Sequence, residues 1–416
     1  MFNMLYADHR GRIYDHPGLA AGGRTGNLFT ELQDHETVPL PEGASLVMIP
    51  GGRPVGVDSG GFKIMDADER GNPVFAVGAL LPQGYTRTLI PAYRKDGTRP
   101  LPLFGYAAAG WKDGTIHAAA LKTDDTEKWD PVNYSTPELA ELVNKCLVRY
   151  QDNRIIRQLA HCALDYHCFT AQNIFYGRWE GGLPVSPVCN ARCLGCISLQ
   201  PAECCPSPQE RIGFHPTIRE IVEVALPHLE KAADAIISFG QGCEGEPSLA
   251  AETISKAIAE MRSKTGAGTI NMNTNAGCTE GITAVCRAGI DSLRVSVISA
   301  RPTTYMAYYD PPGYRWEDVC HSVAAARKSG VYVSLNLLTF PGLTDLPEET
   351  EALVDFIKRY DINMVQFRNL NIDPDYLAGC IPLASGEVLG IETLIDIFKE
   401  EIPGLEIGNY TRPVAR

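Results

Sequence analysis

The stretch Cys189-Asn-Ala-Arg-Cys193-Leu-Gly-Cys196 directly follows the apolar residues 183–188. Its three cysteines stand four and three residues apart, so their thiolates can converge on one small inorganic centre. Iron–sulfur clusters are held by cysteine thiolates, usually four of them. No fourth cysteine follows at a matching step, and a four-iron cluster held by three cysteines leaves one iron open to an outside ligand. The spacing therefore predicts an iron–sulfur cluster at this stretch.

A zinc site, disulfides or chance clustering would account for these cysteines less well. A structural zinc ion needs four closed ligands, typically with a second paired motif, and the chain has no second Cys-x-x-Cys. Disulfides need an oxidising compartment, and residues 1–10 are too short and too polar to be a secretory signal. Chance clustering stays open, because the chain has 13 cysteines. We expect a cytoplasmic protein with reduced thiols.

Length and charge exclude some classes of protein. The chain of 416 residues is long enough for two or three domains, or for one large α/β domain with an extension. Hydrophobic residues make up 44% and charged residues 21%, which is typical of a soluble globular protein, and no apolar run is long enough to span a membrane. The net charge of −13 disfavours a nucleic-acid partner, although a local RNA pocket stays open.

From residue 183 onward, short apolar runs alternate with helical patterns, which is typical of a parallel β/α architecture. Strands are predicted at 183–188, 235–239, 269–275, 292–298, 331–338 and 364–367. Helices are predicted at 218–232, 279–289, 316–330 and 348–360, and near 387–401. Thr217 and Glu220 are spaced as a capping box. Chemistry in such barrels lies at the carboxyl ends of the strands, and the cysteine stretch falls at one of them.

A glycine-rich loop, Gly240-Gln-Gly-Cys-Glu-Gly-Glu-Pro247, follows the second predicted strand. Its three glycines allow the backbone to approach a ligand closely. A carboxylate such as Glu246 or Glu244 could form a charge-assisted hydrogen bond with a cation. Cys243 lies inside the loop, and packing is its simplest role.

At these residues the chain resembles the radical S-adenosylmethionine (radical SAM) superfamily, whose signature Cys-x3-Cys-x2-Cys is matched by Cys189, Cys193 and Cys196. The resemblance covers about residues 183–370 and implies a [4Fe–4S] cluster whose open iron is chelated by the amino and carboxylate groups of SAM. It also implies reductive cleavage of SAM to methionine and a 5′-deoxyadenosyl radical, which abstracts hydrogen from a substrate. One departure is Gly195, where the family often carries an aromatic residue.

The same resemblance implies an α/β fold with an open (β/α)6 partial barrel and a set of SAM contacts. The family segment that binds the SAM ammonium is matched by Gly245, Glu246 and Pro247, and Ser296 matches a ribose-contacting position. Two strand-end asparagines complete the expected contacts, Asn275 and Asn336, although either could simply cap a strand end. The expected partners are SAM, an unknown substrate and a cellular electron donor such as flavodoxin or ferredoxin. Arg368 and the tyrosines of residues 304–309 are candidates for the substrate side, although an arginine could instead pair with the SAM carboxylate and the tyrosines could belong to the core or the rim.

The regions outside the predicted barrel carry weaker signals. In residues 1–133, apolar runs are punctuated by glycine and proline, which predicts a β-rich N-terminal domain. Residues 134–182 are predicted as a helical linker, 183–375 as the radical SAM core, and 376–416 as a C-terminal helix and strand.

A second metal centre is a further possibility near the linker. The stretch His161-Cys162-Ala-Leu-Asp-Tyr-His167-Cys168 places four potential ligands in eight residues. Together with Cys204 and Cys205 they could hold an auxiliary centre. The alternative is that Cys162 is buried in a helix and that the histidines are polar surface groups.

We therefore expect a radical SAM enzyme whose substrate is unknown, with a peptide or a protein as one option. An RNA-modifying radical SAM enzyme is a second option, which the acidic charge makes less attractive. A non-catalytic iron–sulfur binding or electron-transfer protein is a third. The Gly-Glu-Pro loop and the β/α repeat argue against the third option, because such a protein needs no SAM pocket.

Overall fold

A computed structural model describes residues 1–95, 97, 100–101, 103–199, 208–383 and 386–415. Its described part consists of an antiparallel β region, three connecting helices and a parallel half-barrel. None of the helices in this part is long and apolar enough to cross a lipid bilayer.

The N-terminal region is built from short antiparallel strands, as its turn-rich sequence predicts. The longest of them, β2, pairs with β1, β3, β6 and β10 and lies at the centre of the region. β9 and β14 form a separate two-stranded sheet, and the other strands belong to one sheet. The strands are β1 (Asn3–Ala7), β2 (Ile13–Thr25), β3 (Leu28–Glu31), β4 (Val38–Pro39), β5 (Ser45–Met48), β6 (Gly52–Asp58), β7 (Gly61–Ile64), β8 (Phe75–Leu80), β9 (Tyr85–Arg87), β10 (Ile90–Pro91), β11 (Tyr93–Lys95), β12 (Ala109–Lys112), β13 (Thr115–Ala118) and β14 (Ala120–Lys122).

Three helices connect this region to the barrel: α1 (Leu139–Arg149), α2 (Arg154–Leu164) and α3 (Phe169–Tyr176). Asn153 caps α2, because its side chain accepts a hydrogen bond from the Ile156 N–H. Gly177 ends α3 in the left-handed conformation. The chain then turns directly into the first strand of the parallel sheet.

The half-barrel has seven parallel strands whose spatial order is their order in sequence. They are β15 (Arg178–Gly182), β16 (Ala233–Phe239), β17 (Thr269–Thr274), β18 (Ser292–Val297), β19 (Tyr332–Thr339), β20 (Met364–Asn369) and β21 (Glu406–Gly408). The helices are α4 (Ile218–Lys231), α5 (Ala251–Lys264), α6 (Thr279–Ala288), α7 (Pro302–Tyr309), α8 (Trp316–Lys328), α9 (Pro347–Arg359), α10 (Pro374–Cys380) and α11 (Ile391–Glu401). The predicted α/β fold with a partial barrel and a β-rich N-terminal region is confirmed.

The first barrel strand differs from the prediction. β15 pairs with β16 through residues 178–182, so the parallel sheet begins five residues before the predicted boundary at 183. Leu183 still donates its N–H to the Ser238 carbonyl at 2.9 Å. Pro184 and Pro187 then interrupt the ladder, because proline has no N–H to donate. The predicted strand 183–188 is therefore an extended segment that leads to the cysteines.

The two faces of the parallel sheet have opposite character. Side chains such as Ile237, Ile270 and Leu293 are buried among the outer helices. The concave face, which we call the lumen, is polar. Asn271 donates to the Ser238 hydroxyl at 3.0 Å and accepts from Ser292 at 2.9 Å. Alternation along each strand thus separates an apolar core from a polar interior.

Candidate active site

The cysteine stretch is held in place by the end of α7. Arg192 donates its N–H to the Tyr309 carbonyl at 2.8 Å, and Leu194 donates to the Tyr308 carbonyl at 3.0 Å. The last carbonyls of a helix have no partner within the helix, so the loop satisfies them. Arg192 also pairs with Asp310 at 3.0 Å. The path of residues 189–196 is therefore set by a helix more than 100 positions later in the sequence.

The three predicted cluster cysteines lie together and are partly buried. All three are free thiols that line the same cavity. Burial raises the pKa of Cys193 well above its usual range, and the nearby Cys196 and Cys189 raise it further. Among the described residues, no group of three or more His, Cys, Asp or Glu side chains is arranged to hold a single metal ion. In a [4Fe–4S] cluster each thiolate binds a different iron, and three free cysteines on one cavity can supply three such thiolates.

Glu244 ties the segment before the cysteines to the glycine-rich loop. Its carboxylate accepts the N–H groups of Val185 at 2.7 Å and Ser186 at 2.9 Å on one oxygen. The other oxygen accepts those of Gly240 at 2.6 Å and Gln241 at 2.7 Å. Burial raises its pKa to about 7, against the effect of these donors. A carboxylate offers about four acceptor sites, so Glu244 has none left for a ligand.

The carboxylate of Glu246 accepts three hydrogen bonds, one fewer than that of Glu244. It accepts from the Thr274 hydroxyl and from the Ser248 N–H at 3.0 Å on one oxygen, and from the Asn275 N–H at 2.8 Å on the other. One of its four acceptor sites remains, on the oxygen bonded to Asn275. The neighbouring Gly245 is required for close packing, because a Cβ there would lie 2.0 Å from the Val188 carbonyl oxygen.

Two strand ends contribute polar side chains beside this loop. Asn275, just after β17, donates its amide to the Asn190 side chain at 2.7 Å and so links the strand to the cysteine stretch. Ser296, on β18, accepts a hydrogen bond at 3.3 Å from the Asn336 amide on β19. These contacts fix both side chains at the carboxyl edge of the sheet.

A cavity of about 200 Å³ brings most of the predicted residues together. The predicted residues that line it are Cys189, Cys193, Cys196, Gly245, Glu246, Asn275 and Ser296. Pro247 and Asn336 do not line it. Pro247 is buried at the start of a short 3-10 turn, and Asn336 reaches the site through Ser296.

The sequence missed several residues of this cavity. Arg211 lines it and donates to the Ser198 hydroxyl at 3.1 Å, with the Cys196 sulfur 3.9 Å away. No motif marks Arg211 or Ser198 in the sequence. Tyr308 and Tyr309 also line the cavity, and Tyr309 is 2% exposed, with no hydrogen-bond partner for its hydroxyl among the described residues. The sequence had pointed to these two tyrosines only as part of the tyrosine-rich stretch 304–309.

The candidates for an auxiliary metal centre have other contacts. His161 pairs with Asp165 at 2.6 Å, and His167 contacts the Ser135 hydroxyl at 3.1 Å. Cys162 is buried in α2, and its sulfur accepts a hydrogen bond from the Gln158 amide at 3.4 Å. Cys204 and Cys205 lie outside the described residues. The auxiliary centre therefore stays an untested prediction.

Comparison with known proteins gives one family match in sequence and several distant similarities in structure. Residues 183–357 match the family model of the radical SAM superfamily. No curated protein matches the chain in overall sequence. Similar solved structures include the FeFe-hydrogenase maturase HydG from Carboxydothermus hydrogenoformans, with 15% identity, 67% of this chain and 68% of that chain covered, and a TM-score of 0.38. Methylornithine synthase PylB is another, with 15% identity, 64% and 77% coverage, and a TM-score of 0.38.

These structural similarities are too distant to support an argument about function. The family match rests on the part of the chain that contains the cysteine stretch, the glycine-rich loop and strands β16 to β19. Members of this family are enzymes that use a [4Fe–4S] cluster and SAM. Residues 183–357, under half of the chain, are thus similar in sequence to the radical SAM superfamily.

Proposed function

We propose that the cavity is the active site of a radical SAM enzyme, in which Cys189, Cys193 and Cys196 hold the [4Fe–4S] cluster. The observation that carries the proposal is that these cysteines and the residues predicted to bind SAM line one cavity at the carboxyl edge of the parallel sheet. When bound, the cluster and SAM together supply a 5′-deoxyadenosyl radical, which abstracts hydrogen. The chain's own residues bind, orient and shield the reactants.

We assign the ammonium group of SAM to Glu246 rather than to Glu244. Glu246 has one acceptor site left, whereas Glu244 has all four occupied by backbone N–H groups. A charge-assisted bond to an ammonium group would fill the remaining site. The Ser296 hydroxyl is assigned to the ribose, and Asn336 positions it through their 3.3 Å contact. Pro247 and Asn275 then serve the cofactor by shaping and anchoring its loop.

Tyr308 and Tyr309 are assigned to shielding the cavity from water. Both are almost fully buried and line it beside the cysteine stretch. A closed, dry site limits side reactions of a reactive intermediate. The substrate is proposed to be a peptide or a protein, and a flavodoxin or ferredoxin is proposed as the electron donor. The net charge of −13 favours these substrates over RNA.

The test is anaerobic reconstitution with iron and sulfide, followed by reduction in the presence of SAM. We expect a [4Fe–4S] signal by electron paramagnetic resonance and formation of 5′-deoxyadenosine. Cys193→Ala should abolish both, whereas Cys380→Ala, which changes an exposed cysteine outside the cavity, should leave both intact. A cluster that forms without SAM binding or cleavage would instead indicate an electron-transfer protein.

Glu246→Gln separates the cofactor assignment from cluster assembly. The amide keeps the size of the side chain but loses its negative charge. We expect normal iron content and SAM binding weakened by about tenfold or more, because a charge-assisted hydrogen bond contributes about 1.5–3 kcal/mol. Unchanged SAM affinity would remove Glu246 from the cofactor site and leave the cluster assignment in place.

A further inference from the structure

Two arginines project from the barrel strands toward the lumen. On β18, Arg294 donates through one terminal nitrogen to the Gln366 side-chain oxygen at 3.3 Å and to the Thr411 hydroxyl at 3.2 Å. On β20, Arg368 donates to the Gln83 side-chain oxygen at 3.3 Å. All three acceptors are neutral. Both guanidinium groups therefore keep their positive charge without a carboxylate partner among these contacts.

The arginines lie beside the cavity of the active site. Arg294 is two residues before Ser296 on the same face of β18, so it lies about 6.6 Å from Ser296 toward the amino end of the strand. Arg368 is paired in register with Leu338, and both Leu338 and Ser296 line the cavity. Neither arginine lines the cavity itself. They lie on the lumen side of the cavity, next to residues that line it.

The carboxylates near these arginines are already engaged. Glu180 accepts from the Ser238 hydroxyl at 2.6 Å and from Thr411 at 3.4 Å. Asp124 pairs with Arg412 at 2.9 Å and accepts the Asn409 N–H at 2.7 Å. Within the described part of the chain, no carboxylate oxygen lies within 4.0 Å of a guanidinium nitrogen of Arg294 or Arg368, the distance that defines an ion pair. Asp124 is thus paired with Arg412, and the printed contacts of Glu180 are with hydroxyl groups.

Such an arrangement is costly unless a ligand completes it. The Nε of Arg294 is buried and has no hydrogen-bond partner in the described residues. Burial, and to a smaller extent the nearby Arg294, lowers the pKa of Arg368 to about 9. Unpaired buried charges are destabilising, whereas arginine pairs strongly with carboxylate and phosphate oxygens. An anion at this place would satisfy both guanidinium groups.

We propose that Arg294 and Arg368 form an anion site that binds a carboxylate or phosphate group of the substrate. The inference rests on the proposed function and narrows it, because it names the chemical class of the substrate. The anionic group would anchor the substrate in the lumen with its reacting carbon toward the cofactor. Both arginines are binding residues for the substrate and take no part in holding the cluster or SAM.

The test measures anion binding to the cluster-loaded protein that has been saturated with SAM. Calorimetric titrations with inorganic phosphate and with malonate distinguish the two anion chemistries. We expect one of them to bind the wild-type protein, and Arg294→Gln and Arg368→Gln each to weaken that binding at least tenfold. Arg287→Gln, which changes an exposed arginine on α6, should change it less than twofold. Arg294→Lys keeps the charge and should retain more of the affinity than Arg294→Gln.

The SAM titration of each variant controls for folding, since Arg294 also bonds Gln366 and Thr411. Should Arg294→Gln fail to fold, Arg368→Gln alone decides the outcome. Equal anion affinity in wild type and Arg368→Gln, or no anion binding by the wild type, would overturn the anion site even if SAM is cleaved. The same titration without SAM is a further control: anion binding seen only without SAM would assign the arginines to the SAM carboxylate and also overturn the anion site. Arginine-dependent anion binding in a protein that neither binds nor cleaves SAM would overturn the proposed function, and with it the substrate assignment.

Discussion

At the scale of single residues, the departure of Gly195 from the family pattern has a structural explanation. A Cβ at this position would lie 2.8 Å from the Tyr308 hydroxyl and 3.4 Å from a Leu370 methyl group. The space beside the last cysteine of the motif is thus filled by a tyrosine from α7. The small residue at 195 and the large one at 308 therefore form a complementary pair.

Gly195→Ala should disturb the cysteine stretch through this contact. We expect it to lower the free energy of unfolding by about 1–3 kcal/mol, as overpacking of a close-packed site does, and to reduce the iron content after reconstitution. The double variant with Tyr308→Phe removes the clashing oxygen and should recover most of both losses. Gly213→Ala is the control, because a Cβ there meets no atom within 4 Å. A double variant no better than Gly195→Ala would show that the hydroxyl is not the cause.

Only part of this site could be predicted from the sequence. The cysteine spacing, the glycine-rich loop and the polar strand ends could be read directly, because each is local in sequence. The motif match favoured Glu246 over Glu244, but the number of acceptor sites that each carboxylate has left could not be predicted, since it depends on the N–H groups that each one accepts in the folded chain. The position of Arg211 beside Cys196 could not be predicted either, because no sequence pattern marks this contact.

At the scale of secondary structure, β-strands and helices with clear patterns were predicted closely. Strand β18 was predicted at 292–298 and spans Ser292–Val297, and α6 ends at Ala288, followed by the predicted Gly289 as its C-cap with a φ of +96°. The errors have physical reasons. Two prolines break the ladder after β15, and α5 and α7 were not predicted. α7 is short, and its tyrosines are buried on more than one side, so its sequence lacks the one-sided apolar pattern of a surface helix.

The start of α4 supports a prediction about pH. Glu220 forms the expected capping box with Thr217, and its carboxylate also accepts two hydrogen bonds from the Arg154 guanidinium, at 2.7 and 2.8 Å. This pairing holds the pKa of Glu220 well below its usual value of 4.5. Because the folded state favours the ionised form, the stabilisation is complete above about pH 4.5 and is lost as the pH falls below it.

Glu220→Gln should therefore destabilise the protein at pH 7, and the difference from wild type should shrink as the pH falls below 4.5. Arg154 is 37% exposed, so solvent screening limits the loss to about 1–2 kcal/mol. Urea unfolding between pH 7 and pH 3 measures the difference. Glu252→Gln, in an exposed pair with Lys256, should have no measurable effect at any of these pH values. If the variant's loss of unfolding free energy were the same at every pH, the ion pair would be ruled out as the source of the stabilisation.

At the scale of the whole molecule, the N-terminal region and the half-barrel share one hydrophobic core. Ile90 and Phe104 from the first belong to the same buried cluster as Leu337 and Phe367 from the second. Main-chain groups also cross the boundary: Ile372 donates to the Phe104 carbonyl at 3.0 Å, and Gly26 donates to Pro341 at 2.9 Å. Composition could separate the two regions in sequence. It could not predict their contact, which joins residues about 280 positions apart.

Arg87 is the residue that best tests this contact. It is fully buried, and its guanidinium donates to the Leu370 carbonyl at 2.5 Å and lies over the Phe340 ring, 5.3 Å from the centroid. Burial lowers its pKa to about 9. Its backbone N–H is also engaged, with the Asn369 side chain at 2.9 Å. Arg87 thus joins β9 to the carboxyl end of β20, close to the methyl group of Leu370 that faces Gly195.

Arg87→Ala should destabilise both regions together. The change leaves the Leu370 carbonyl without its donor and opens a cavity, so we expect a loss of about 2–4 kcal/mol. Calorimetry should show one transition, shifted as a whole to lower temperature, because the shared core couples the two regions. Arg94→Ala, which changes an exposed arginine on β11, should leave the midpoint nearly unchanged. Two separate transitions, of which only one moves, would mean that the N-terminal region folds independently of the barrel.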